Sequence, residues 1–74
     1  MERKYLVVVE KAGENYSAYS PDLPGCIATG KTKRLIRQRI QEAIRIHLTS
    51  MLEDGDPIPK PTSECEYVAV RLAS

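Results

Sequence analysis

The connector formed by residues 20–26 (SPDLPGC) constrains the fold of this chain more than any other stretch. Each proline fixes its own φ, whereas Gly25 is free to take a positive φ. Pro24 and Gly25 suit the two central positions of a type II turn, and Pro24 favours an extended conformation at Leu23. We therefore expect a stiff, sharply turned connector between an alternating segment and a long helical segment.

The length of 74 residues predicts one small domain over residues 1–74. A chain this short buries only about 60% of its unfolded surface, so small folds usually gain stability from disulfides, a metal or self-association. Cys26 and Cys65 are far apart, form no CxxC pair and have only His47 as an imidazole companion. No disulfide, metal or other cofactor is therefore expected, and self-association is the expected source of stability.

The N-terminal residues carry charge and lack the apolar region of a signal peptide. No apolar run approaches the roughly 20 residues that span a bilayer. The sequence therefore predicts a cytoplasmic protein with reduced thiols and no membrane association.

Apolar periodicity and turn residues predict an α+β fold, a small antiparallel sheet with one helix on one face. The expected order is β-β-β-α-β, with strands over residues 5–9, 15–20, 26–29 and 67–72. Thr32 is the expected N-cap of the helix, which should run to about Glu53 and stop near Gly55. The alternating prolines of residues 56–61 exclude helix and predict an extended return.

The first predicted strand is apolar at both odd and even positions, so both of its faces should be covered. One helix covers only one face, and a second copy of the chain is expected to cover the other. Leu35 and Ile46 lie on a flank of the helix beside its main apolar stripe. The predicted oligomer interface consists of Leu6, Val8, Leu35 and Ile46.

The whole pattern resembles the N-terminal domain of HicB-type antitoxins from about Tyr5 to Val70. The resemblance rests on the tyrosine hairpin, the connector PDLPGC, a Thr-capped helix containing QEAI, and the later EDGDPIP. It implies a partial RNase H-like fold, oligomer formation, and binding to a HicA-type toxin, a small mRNA-cleaving protein that the antitoxin covers. Many members also carry a C-terminal DNA-binding domain. This chain ends just after its last predicted strand. We therefore expect a stand-alone antitoxin that does not bind a promoter.

The tyrosine hairpin and the connector form the predicted partner-binding surface. Tyrosine adds large contact area with a polar tip, and a stiff loop loses little entropy on binding. The predicted contact residues are Tyr16, Tyr19, Asp22, Leu23 and Pro24. The tyrosines also fit a second role, in core and dimer packing. Asp22 is expected to accept hydrogen bonds in its own turn rather than to act as a catalytic acid.

Three other functions compete with the antitoxin hypothesis. Catalysis is not expected, because the carboxylates do not form a set on the strands that could hold a divalent metal. A non-inhibitory oligomeric scaffold or a small-ligand-binding module would use the same domain without a toxin. Direct nucleic-acid binding is less favoured than the scaffold or the ligand-binding module. The basic residues of the helix spread around several sides without stacking aromatics, and the pI is 7.8.

Overall fold

The computed structural model describes residues 2–73, which form three antiparallel strands and one helix. The elements are β1 (Val8–Ala12), β2 (Asn15–Tyr19), β3 (Ile27–Gly30) and α1 (Lys33–Glu53). The strands lie in the order β1-β2-β3, and α1 packs on one face of this sheet. The predicted fold class, an antiparallel sheet with one helix on one face, is confirmed.

The hairpin between β1 and β2 is tighter than the sequence pattern indicated. Ala12 pairs with Asn15, so the turn contains only Gly13 and Glu14. Gly13 has a φ of 63° and Glu14 a negative φ, as in a type II′ turn. The two-residue turn frees Lys11 and Ala12 to join the ladder. β1 is therefore shifted towards the turn from its predicted range of residues 5–9.

The connector adopts the predicted type II turn. The N–H of Cys26 donates to the carbonyl of Leu23 at 3.1 Å, and Gly25 has a φ of 83°. The N–H of Leu23 in turn donates to the carbonyl of Ser20, also at 3.1 Å. Two successive turns thus direct the side chain of Leu23 into the core, where the residue is only 1% exposed.

The core lies between α1 and the side of the sheet that carries Ala18 and Ala28, which the register sets opposite each other. Ile36 is 1% exposed, and its burial stabilises the fold by about 1.5–3 kcal/mol. A Cβ atom on Gly30 would lie 3.1 Å from the backbone N of Ile36. Small residues at these sheet positions therefore allow α1 to approach β2 and β3 closely.

Both ends of α1 follow the sequence prediction. The hydroxyl oxygen of Thr32 accepts the N–H of Leu35 at 3.0 Å, as an N-cap does. At the other end the N–H of Gly55 donates to Leu52 and that of Asp56 to Met51, the paired bonds of a Schellman motif. Gly55 has a φ of 75°, which favours glycine at this position.

The segment after α1 returns along the body of the domain. The hydroxyl of Tyr5 donates to the carbonyl of Pro59 at 2.6 Å, and Ile58 is half-buried. Residues 64–73 then leave the body, are exposed throughout, and form no strand within the described part of the chain. Residues 67–72 have the composition of the expected last strand, but a strand needs a neighbour, and residues 2–73 of this chain place none beside it.

Candidate partner-binding surface

Asp22 ties the connector to the segment that follows the helix. Its Oδ2 accepts the N–H groups of Thr62 and Ser63, both at 3.1 Å. Its Oδ1 accepts the hydroxyls of Thr62 at 3.0 Å and Ser63 at 2.8 Å. The N–H and hydroxyl of Ser63, with smaller contributions from Thr62, hold the pKa of Asp22 below its usual value. The sequence predicted donors within Asp22's own turn. The donors lie instead 40 and 41 residues further along the chain.

The two connector residues that follow Asp22 differ in their exposure. Leu23 packs in the core with Ile36 and Ile40, so its side chain sets the shape of the connector from inside. Pro24 is exposed at the tip of the turn and is available to a partner. Within the connector, therefore, the prolines and the turn glycine are exposed and Leu23 is not.

The two predicted contact tyrosines lie on opposite faces of the sheet. Tyr16 is half-buried on the helix side, where it packs against the core. Tyr19 is 40% exposed on the other face, because neighbouring residues of a strand alternate. The five predicted contact residues are thus not brought together into one patch.

An apolar row crosses the face of the sheet that is turned away from α1. Val8 pairs with Tyr19, and Tyr19 pairs with Ile27, so the three side chains lie side by side. We call these three residues the outer row. Ile27 is 69% exposed and was not singled out by the sequence, although the buried Cys26 before it implies that its side chain points outward.

The four predicted oligomer residues fall in separate places. Val8 belongs to the outer row, and Leu6 is half-buried just before β1. Ile46 lines a shallow hollow beside Ile27, so it extends the outer row around the β3 edge. Leu35 is half-buried in the first turn of α1, near Gly30 and away from the other three.

A groove of about 1310 Å³ lies on the opposite side of the domain, between β1 and α1. It exists because α1 packs on β2 and β3 and leaves the helix-facing side of β1 open. Its apolar and aromatic lining residues are Tyr5, Val7, Val9, Tyr16, Ile36, Ile40 and Ile44. Its basic lining residues are Arg3, Lys4, Lys11, Lys33, Arg34 and Arg37. We call it the β1–α1 groove, and its chemistry suits an apolar segment that carries negative charge.

Two free cysteines and one ion pair lie elsewhere in the described part of the chain. Burial raises the pKa of the Cys26 thiol, while Cys65 is exposed, and both are free thiols. Glu42 and Arg45 form an exposed ion pair on α1, in which the Arg45 hydrogen bond lowers the pKa of Glu42. Among residues 2–73, no three His, Cys, Asp or Glu side chains are grouped so that they could hold a metal ion. Within residues 2–73, no helix combines the length and the apolar character that crossing a membrane requires.

Comparison with known proteins gives consistent matches over most of the chain. A family model described as the HicB-like antitoxin of bacterial toxin–antitoxin systems matches residues 5–71. An uncharacterized 14.9 kDa protein of Haemophilus phage HP1 is 34% identical over 64 residues, which are 86% of this chain and 48% of the phage protein. The chain thus spans about half the length of that relative.

Two further matches cover more of the related protein. The UPF0150 protein Ta0767 of Thermoplasma acidophilum is 37% identical over 62 residues, 82% of this chain and 90% of the relative. Among solved structures, a chain of the HicA3 and HicB3 toxin-antitoxin complex superposes with a TM-score of 0.69 and 30% identity. That match covers 81% of this chain and 70% of the solved one.

Proposed function

This chain belongs to the HicB-like antitoxin family of bacterial toxin–antitoxin systems, and we propose that it binds a HicA-type toxin and blocks it sterically. The observation that carries the proposal is the family match over residues 5–71, together with the likeness to a chain from a toxin-antitoxin complex. Because a HicA-type toxin would cleave mRNA, the proposed place of action is the cytoplasm.

The proposed mechanism is occlusion and requires no catalysis by this chain. Covering a toxin demands contact area and a fixed shape, which rigid apolar and aromatic side chains supply. Asp22, the carboxylate of the family-like connector, is occupied by hydrogen bonds from Thr62 and Ser63. Its proposed role is to hold the connector in one conformation, so that little entropy is lost when a partner binds.

The proposed toxin-contact surface is the outer row together with the tip of the connector. Tyr19 and Ile27 offer exposed aromatic and aliphatic area on the face away from α1, and Pro24 extends this area at the end of the sheet. Leu23 supports the connector from the core, and Tyr16 is assigned to the β1–α1 groove. Val8 is part of the outer row, so toxin and a second copy would compete for it if both bound there.

Self-association is the second part of the proposal. It is supported by the small core, which contains only five buried apolar residues among residues 2–73. Since the outer row is assigned to the toxin, the contact between copies is assigned to the other side of the domain.

Co-expression tests the antitoxin proposal. The partner to use is a short basic protein encoded beside this gene, first confirmed to arrest growth alone. We expect this chain to relieve the arrest and to co-purify with the partner. A double variant, Tyr19→Asp with Ile27→Asp, should lose both effects, whereas Leu52→Asp, which replaces a residue 60% exposed near the end of α1, should keep them. Persistent arrest without a complex would exclude the proposal.

A further inference from the structure

We propose that residues 64–72 of one copy add as a fourth strand to β1 of a second copy, and that the second copy returns the same contact. We call residues 64–72 the arm. The exchange would cover both β1–α1 grooves in a symmetric dimer. It rests on the self-association part of the proposed function and is independent of toxin binding.

The arm has the alternating apolar side chains of a half-buried strand, but these side chains are exposed. Val68, Val70 and Leu72 occupy alternate positions, so an extended chain presents them on one face. Val68 is 78% exposed and Leu72 is 81% exposed. Contiguous apolar side chains with this exposure mark a contact surface rather than a solvated tail.

The base of the arm is fixed while the rest projects from the body. Asp22 holds Thr62 and Ser63 in place through side-chain and backbone hydrogen bonds. The molecule is 55 Å long, whereas its 21-residue helix accounts for about 32 Å at 1.5 Å per residue. The extended arm supplies length beyond the body, where a second copy can be reached.

The β1–α1 groove matches the arm in charge and polarity. The arm carries Glu64 and Glu66 near its base, and Arg71 is its basic residue. The groove combines an apolar lining with a set of lysines and arginines, opposed in that lining by Glu2. A strand with apolar residues on one face and carboxylates at one end satisfies both features of the groove.

The β1 edge is favoured over the β3 edge as the place of addition. β3 has four residues, is packed by α1, and has the carbonyl of Thr29 occupied by Arg39 Nη1 at 2.9 Å. β1 has five paired residues and is preceded by residues 5–7, which lie outside the ladder. Residues 5–12 thus offer an edge whose length matches the arm, and an unpaired edge is a template for strand addition.

A second copy is favoured over the arm's own β1 because of the sequence at its base. Folding back would require a sharp reversal after Ser63. Residues 64–73 contain no Gly, Pro, Asn, Asp or Ser, the residues that chain reversals prefer. Reciprocal exchange lets the arm stay extended and closes the contact by two-fold symmetry.

Isotope-mixed cross-linking tests the exchange directly. Unlabelled and ¹⁵N-labelled chains are unfolded together, refolded, and treated with a carbodiimide that joins carboxylates to lysines. We expect peptides that link Glu64 or Glu66 to Lys4 or Lys11, with about half joining labelled to unlabelled chain, as random exchange between copies requires. Links confined to one isotope would show that the arm folds on its own sheet and would overturn the proposal.

Light scattering provides a second, independent test of the exchange. The whole chain should have twice its mass of 8.3 kDa, and a chain that ends at Ser63 should be monomeric. Val68→Asp with Val70→Asp should also be monomeric, whereas Leu52→Asp should stay dimeric. A dimer that survives removal of the arm, or a whole chain that is monomeric unless toxin is present, would contradict the exchange. Toxin binding is measured separately on each variant. If the exchange fails but the shortened monomer binds toxin, the antitoxin proposal still holds. If the exchanged dimer forms but does not bind toxin, only the antitoxin proposal is refuted.

Discussion

Asp22 accepts two hydrogen bonds from Ser63, one from its N–H at 3.1 Å and one from its hydroxyl at 2.8 Å, across 41 positions of sequence. A single carboxylate thus joins the connector after β2 to the chain that leaves α1. It fixes both the family-like connector and the base of the arm.

Replacing Asp22 should loosen the segment after the helix. Asp22→Asn replaces one of the two acceptor oxygens by an NH2 group, which cannot accept, so the four hydrogen bonds from Thr62 and Ser63 cannot all be kept. We expect faster hydrogen exchange of the backbone amides of Thr62 and Ser63 and a lower thermal midpoint. Glu14→Gln, which changes an exposed carboxylate in the hairpin turn, is the control. Unchanged exchange at both amides would show that the bonds do not hold the segment in solution.

The same carboxylate predicts an acid-dependent loss of stability. The pKa of Asp22 is lowered in the folded chain from its usual value of 3.8. A group whose folded pKa is depressed stabilises the fold fully above its unfolded pKa and loses that effect as the pH falls through the folded value. The stability difference between wild type and Asp22→Asn should therefore be constant near neutral pH and shrink below about pH 3.8. Thermal melts at a series of pH values measure it, and a gap that widens in acid would contradict the assignment.

Leu23 should matter for stability and not as a direct contact. It is among the most buried side chains in the described chain, so Leu23→Ala should lower the free energy of unfolding by about 2–5 kcal/mol. Leu52→Ala, at an exposed leucine, should change it by less than about 0.5 kcal/mol. Urea unfolding of both variants gives the comparison. Equal effects would mean that the connector does not pack as described.

Tyr19 should contribute to toxin binding through its exposed face. Tyr19→Ala should weaken the complex by about tenfold or more, the range seen for aromatic residues at interface centres. Tyr67→Ala removes a tyrosine from the arm instead and should leave toxin affinity unchanged. Titration calorimetry with the toxin measures both. A loss with Tyr67→Ala alone would move the contact surface from the outer row to the arm.

The features that the sequence predicted well are set by residues close together in the chain. The Thr32 cap, the Gly55 stop and the Pro24-Gly25 turn each follow from the conformational preferences of two to four neighbouring residues. The shift of β1 was harder to foresee, because whether Lys11 pairs depends on the type of turn that Gly13 adopts.

The features that the sequence did not predict depend on distant contacts. Nothing near Asp22 indicates that Thr62 and Ser63 are its donors. Alternation within β2 already places Tyr16 and Tyr19 on opposite faces of the sheet. The prediction of one contact surface with both tyrosines and the connector did not take this alternation into account. The composition of residues 67–72 predicts a strand that the described chain does not form, because local residues do not specify the neighbour that a strand needs.

The most direct test of steric inhibition measures RNA cleavage by the partner toxin as this chain is added. Cleavage should fall to background once the chain is in molar excess over the toxin, and Tyr19→Asp with Ile27→Asp should fail to lower it. Cleavage that continues unchanged in the presence of excess wild-type chain would contradict the antitoxin proposal.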